Sequence, residues 1–246
     1  MKIEDIRAIL LSQSFDDFAT DSSNQEAYDA CKSICNRDAL GKLLIICGGE
    51  NCGKTHLLRA VLSEYEKNIE IKTKYTLGED FGGKIIFSRV SDKEHSVNKL
   101  LSKYMENDII MIDGIEFLIG KGFCERAFIE FIKMALSKGM RLVFSMEKRD
   151  LLSGVLNPEL YDLLSAMKIV DIHAQSIELR KKWMGNILAT QLIDFPPDVA
   201  NEIVTCADTI RECKNAMFYY NACVEHDKMS LWDEFLKQLK NHSTKR

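Results

Sequence analysis

The chain has 246 residues, with 33 Lys and Arg set against 37 Asp and Glu for a formal net charge of −4. At 46% hydrophobic and 28% charged it is long enough for one large or two small globular domains with a sizeable core. The acidic balance argues against a large electrostatic footprint on nucleic acid, and apolar runs fall far short of the ~20 residues that span a bilayer.

From the N-terminus, Ile3, Ile6 and Leu10 have helical spacing and predict a short helix over 2–11. The mixed charges of Lys2, Glu4, Asp5 and Arg7 do not make a secretory leader. The eight cysteines form no C-x₂-C pair, so they read as reduced thiols of a cytosolic protein rather than as zinc ligands. The Asp21-Ser22-Ser23 cluster can cap a helix over 24–36. Strands are predicted over 43–47, 84–89, 109–113, 141–145 and 168–172, with helices over 55–66, 93–105 and 123–137. The stretch 71–83, with Gly78, Gly82 and Gly83, reads as a loop. Strands alternating with helices imply an α/β fold with a parallel five-stranded sheet covered on both faces. Beyond 172 only helical patterns follow, over 176–192, 198–207, 209–225 and 230–241, the first two parted by Pro196-Pro197. The expected organisation is an α/β core over 1–172, including a helical lead-in, and a small all-helical domain over 173–246. The basic tail 240–246 reads as solvated and fraying.

The most informative stretch is Gly48-Gly49-Glu50-Asn51-Cys52-Gly53-Lys54-Thr55, which fits G-x-x-x-x-G-K-[ST], the phosphate-cradling P-loop. A chance match in a chain of this length is on the order of one in a hundred. Here the motif follows an apolar strand, Leu43 to Cys47, and opens a helical segment, His56 to Leu62, which is the context it requires. Backbone N–H groups of such a loop and the helix N-terminus attract an anion. Lys54 would reach the β- and γ-phosphates, and the Thr55 hydroxyl would ligate Mg²⁺. Further on, Ile109-Ile110-Met111-Ile112-Asp113 is an apolar strand ending in an acid, the form of a Walker B strand that delivers a carboxylate to Mg²⁺. The residue after it, where many ATPases carry the acid that activates water, is Gly114. Glu116, two positions on, can face the site as a weak catalytic candidate or be a surface residue, and the surface reading is favoured.

Together these residues resemble the DnaA family of AAA+ proteins, and within it the Hda-like members that lack a DNA-binding domain. The resemblance rests on Ser14-Phe15-Asp16-Asp17-Phe18 followed by Ser23-Asn24, on the P-loop extended by His56-Leu57-Leu58, and on Ile112-Asp113-Gly114-Ile115-Glu116-Phe117-Leu118. It extends to Gly139-Met140-Arg141-Leu142-Val143-Phe144-Ser145 and to Thr209-Ile210-Arg211-Glu212-Cys213. It implies an AAA+ core and helical lid that bind ATP or ADP with Mg²⁺ through residues 48–56. Arg211 would act as the sensor II arginine and Ser145 or Glu147 as sensor I. Three departures stand out. Gly114 replaces the family's Asp or Asn. Leu163 occupies the place of the arginine that acts in trans on a neighbour's nucleotide. The chain is also expected to lack the helix-turn-helix domain. Loss of both polar groups implies feeble hydrolysis, since such an arginine contributes about 10³–10⁵ in rate. The implied partner is DnaA or another AAA+ replication protein. A sliding-clamp motif is poor, with only Gln13, Phe15 and Phe18 to offer. The implied function is regulation of replication initiation through protein contacts; the alternatives are an active AAA+ loader working on DNA and, more remotely, a P-loop kinase.

Overall fold

A computed structural model of the chain describes residues 13–36, 43–148, 157–190 and 195–243. It divides into two compact units, an α/β unit over 24–173 and a helical unit that joins 174–246 to the N-terminal lead-in. The helix predicted over 2–11 lies outside the described residues.

In the α/β unit the order is α1 (Gln25–Ile34), β1 (Leu43–Gly48), α2 (Lys54–Glu66), β2 (Thr73–Leu77) and α3 (Gly78–Tyr104). There follow β3 (Ile109–Asp113), a 3-10 turn (Ile115–Phe117), α4 (Gly122–Ser137), β4 (Arg141–Met146), α5 (Pro158–Ser165) and β5 (Lys168–Ile172). The strands form one sheet in the order β2-β3-β4-β1-β5. Every pairing is parallel, with Ile45 of β1 opposite Phe144 of β4 on one side and Ile169 of β5 on the other. Central strands covered on both faces must be apolar throughout, and Leu44–Cys47, Ile109–Ile112 and Leu142–Met146 are all buried.

Two predictions fail in the same place. The apolar run 84–89 is not a strand but part of the first half of α3, and the stretch read as a loop holds β2. Burial explains the reversal. Phe81, Ile85, Val97, Leu101 and Tyr104 recur at helical spacing and are all buried, whereas Ile86 and Phe87 of the run, and Val90 just after it, face solvent. A strand over 84–89 would have had to bury alternate residues. β2 is one of the two edge strands, so Lys74 between Thr73 and Tyr75 is tolerated on its exposed side. The short helix α5 was also not anticipated. Pro158 opens it, and the Asn157 side chain caps it by accepting from Glu159 N at 2.9 Å.

α3 and α4 cover the sheet through a cluster of rings. Phe81 meets Tyr104 and Phe131 edge-on, with centroids 5.0 and 5.2 Å away, and Phe128 lies 5.5 Å from Phe144 of β4. Each such pair adds about 0.5–1.5 kcal/mol beyond its area.

The helical unit contains α6 (Ile177–Thr190), α7 (Pro197–Cys206), α8 (Ile210–Glu225) and α9 (Met229–Ser243). Trp183, Ile203, Met217 and Trp232 lie in its own buried core. Tyr220 packs edge-on between Phe195 and Trp232, 5.1 Å from each. The lead-in 13–23 belongs to this unit and not to the α/β core: Ala19 joins its core, Ser176 Oγ donates to Asp21 Oδ2 at 2.9 Å, and Lys182 Nζ donates to Thr20 O at 2.7 Å. Burial alone would raise the Asp21 carboxyl, but hydrogen bonds from Ser23 and Ser176 outweigh it and hold the group below the usual carboxylate range.

Candidate nucleotide site

β1 and β3 end on the same edge of the sheet with β4 between them, so whatever their C-terminal ends carry is brought together. In open α/β sheets this edge is where ligands bind. The loop after β1 turns through Asn51 at φ +58° and Gly53 at φ +120°. A side chain at 53 would be strained there, which accounts for the motif's second glycine. α2 begins at Lys54 behind Gly53, which has no side chain to cap it; the Lys54 N–H turns to the Cys52 thiol, and helix starts of this kind attract anions. Lys54 Nζ donates to the carbonyls of Gly48 and Gly49, both at 2.7 Å, so its ammonium folds back over the loop. Glu50 and Asn51 are exposed and Cys52 is buried beneath them. Burial pushes the Cys52 thiol up, against a smaller opposing pull from Lys54, which makes it an inert packing group.

Asp113, the last residue of β3, is the hub. Its Oδ2 accepts from the Thr55 hydroxyl at 2.7 Å and from the Tyr75 hydroxyl at 2.8 Å. Its Oδ1 accepts from Ser145 Oγ, and Ser145 in turn accepts from Gly114 N at 2.8 Å. Of the two sensor I candidates, then, fully buried Ser145 touches Asp113, whereas Glu147 stands half-exposed past the end of β4. Sequence reading missed Tyr75. It lay in a stretch taken for a loop; once β2 is a strand beside β3, positions 75 and 113 share a face. Burial first, and the Asp113 charge second, push the Tyr75 hydroxyl up to about 12, so it stays a protonated donor. Arg59 of α2 stacks over its ring at 5.7 Å.

Thr55 and Asp113 offer adjacent hard oxygen donors, the chemistry Mg²⁺ prefers. No group of three acidic, histidine or cysteine side chains able to hold a metal forms among the described residues. A magnesium ion here would therefore complete its shell with phosphate oxygens and water, as such ions do at nucleotide sites.

Gly114 sits at φ +85°, in the left-handed region. Gly78, at the start of α3, packs so tightly on it that a Cβ there would lie 2.0 Å from the Gly114 carbonyl oxygen. The turn sends the chain into Ile115–Phe117, and Glu116 folds back over residue 114. Glu116 is half-buried, not the surface residue favoured from sequence, and its Oε2 is buried with no hydrogen-bond partner among the described residues. Burial pushes its carboxyl up, partly offset by a hydrogen bond from its own N–H, by Lys54 and by the N–H of Glu147, whose carboxylate is the neighbouring like charge.

Two further residues complete the account. Leu163 packs half-buried against the core of the α/β unit, and α5 around it carries Glu159 and Asp162 but no arginine. Arg211 is exposed in the first turn of α8, in the helical unit. That helix start is firmly built. Thr209 accepts from Glu212 N at 3.2 Å, Glu212 accepts from Asp208 N at 2.7 Å, and Gln175 accepts from Ile210 N at 2.6 Å. Behind it the buried Arg180 guanidinium donates to the carbonyls of Gln175, Val204 and Asp208.

The model of the bacterial DnaA ATPase domain matches residues 11–160. The chromosomal replication initiator protein DnaA of Campylobacter jejuni subsp. jejuni is 30% identical over 220 residues, covering 86% of this chain and 48% of that protein. The chain thus spans about half the length of the curated relatives it matches. Among solved structures, domain III of the Thermotoga maritima replication initiation protein DnaA superposes with a TM-score of 0.79 at 22% identity, over 92% of this chain and 97% of that one. AMPPCP-bound DnaA from Aquifex aeolicus gives 0.75 at 18% identity, over 90% and 70%. At those identities the likeness is one of fold.

Proposed function

The chain belongs to the family of bacterial DnaA ATPase domains and has the AAA+ fold, and from that premise we propose that it is an adenine-nucleotide-responsive regulator of replication initiation. The observation that carries this reading is the Thr55–Asp113–Ser145 network beside the Lys54 loop. It brings a cation, the start of α2 and a pair of hard oxygens to one sheet edge. That is what a nucleotide triphosphate with Mg²⁺ requires. The Aquifex relative was solved with AMPPCP, and the same ligand class is proposed for this loop.

In this reading the loop N–H groups and Lys54 bind the phosphates, and Thr55 and Asp113 hold the magnesium. Ser145 fixes the Asp113 carboxylate from behind, and Arg211 of the helical unit reports the nucleotide's state. Bound nucleotide then biases the conformation offered to a partner by the difference in its affinity for the two states. The partner proposed is DnaA or another AAA+ replication protein, met in the cytoplasm. Because α5 supplies no arginine, the chain is not expected to stimulate a neighbour's hydrolysis; with Gly114 in the place of an acid, its own turnover is expected to be slow.

Calorimetric titration with ATP and ADP, with and without Mg²⁺, followed by co-sedimentation with DnaA in each nucleotide state, tests the reading. Tight binding with nucleotide-dependent association supports a regulator. Fast turnover stimulated by DNA would instead favour a loader.

A further inference from the structure

We propose that Glu116 is the acid that accepts the proton of the attacking water when this site hydrolyses a nucleoside triphosphate, in place of the side chain that Gly114 lacks. This deepens the proposed function and rests on its reading of the loop as a triphosphate site. Three observations place the carboxylate. The left-handed turn at Gly114, φ +85°, folds the 3-10 turn back on itself. Glu116 Oε1 then comes within 3.3 Å of the point where a Cβ on residue 114 would stand, and the Phe117 ring within 3.4 Å of it. The carboxylate therefore lies in close contact with the point from which an acid at 114 would project, although its own backbone starts two residues later. The second oxygen, Oε2, is buried without a hydrogen-bond partner among the described residues. A buried polar atom left so is unfavourable and calls for a ligand, an ion or a water. Lys54, the cation of the phosphate loop, is the positive charge acting on it.

The step balances with water and the triphosphate as its only reactants. The water oxygen forms a bond to the γ-phosphorus. The bond from that phosphorus to the β,γ-bridging oxygen breaks, and its electron pair stays on the leaving diphosphate. The water proton passes to Glu116 and from there to solvent. Burial that raises the carboxyl toward neutrality suits a general base, whose efficiency is greatest when its pKa lies near the working pH. The inference concerns the route of turnover at this site and not its speed.

Glu116→Gln keeps the shape and removes the basicity. Single-turnover hydrolysis should fall at least tenfold, because general-base catalysis is worth about 10²–10⁴. Affinity for ATP with Mg²⁺ should stay within about threefold of wild type, and the nucleotide retained after a long incubation should shift from diphosphate to triphosphate. Glu116→Asp, which keeps a shorter carboxylate, should retain part of the rate, with circular dichroism showing that both variants fold. Glu116→Gln hydrolysing at the wild-type rate would overturn the proposal, and so would a wild type that binds ATP yet never turns it over. Failure of the wild type to bind ATP at all would overturn the site reading and this inference together.

Discussion

Thr55 Oγ1 donates a 2.7 Å hydrogen bond to Asp113 Oδ2 across 58 positions of sequence. The first helix after the phosphate loop and the far end of β3 thus present their oxygens as a pair. Asp113→Asn keeps the shape but removes the charge that would attract a divalent cation. ATP affinity in Mg²⁺ should then fall at least tenfold, about 1.4 kcal/mol, while affinity in EDTA changes little. Equal Mg²⁺ dependence in the two proteins, measured by calorimetry, would move the metal away from Asp113.

Gly114 is held at φ +85°, with the Glu116 carboxylate and the Phe117 ring within 3.5 Å of a would-be Cβ. From sequence alone, Gly114→Asp is expected to change nucleotide binding little. The structure adds a conformational cost. An L side chain in that region loses about 1–2 kcal/mol, so the denaturant midpoint should drop accordingly. An unchanged midpoint would mean that the turn relaxes without strain.

Glu116 gives a pH test of stability with a definite sign. Its folded-state carboxyl is raised above the ordinary 4.5, burial being the main cause. The folded protein therefore holds a proton that the unfolded chain releases, and stability falls as pH rises from 4.5 through the folded value. Glu116→Gln removes that fall. Relative to wild type the variant should gain stability as pH rises through this window, and parallel pH profiles would contradict the burial seen at Oε2.

Two arginines of the helical unit should behave oppositely. Arg180 is buried and serves three backbone carbonyls. Arg180→Ala strands those acceptors and should cost about 1–3 kcal/mol, read as faster hydrogen exchange around α8. Arg211 is exposed, so Arg211→Ala should leave stability within about 0.5 kcal/mol but weaken ATP binding roughly tenfold, about 1.4 kcal/mol. A structural arginine at 211 would reverse that pattern.

The sheet was legible where strands are buried on both faces, because continuous apolar runs such as Leu43–Cys47 and Ile109–Ile112 have few other uses. It was misread at its edge. β2 carries Lys74 between Thr73 and Tyr75 and has no apolar run to announce it, while Lys84–Arg89 looks like a strand yet buries only Ile85. That error hid Tyr75, whose part in the site depends on strand pairing and not on any motif. The loop and Asp113 were readable because their chemistry dictates residue type at fixed spacing. Glu116 was not, since its placement follows from the backbone turn at Gly114. Nor did composition reveal that residues 13–23 pack with the helical unit; that depends on single contacts such as Ser176 with Asp21.

The most direct test is calorimetry of wild type and Lys54→Ala with ATP and ADP. Lys54 Nζ already sits over the loop on two carbonyls. Removing it should weaken both nucleotides by at least ~100-fold, about 2.7 kcal/mol, in a protein that remains folded. Equal affinities in the two proteins, or no affinity in wild type, would mean that this loop is not where the chain meets its nucleotide.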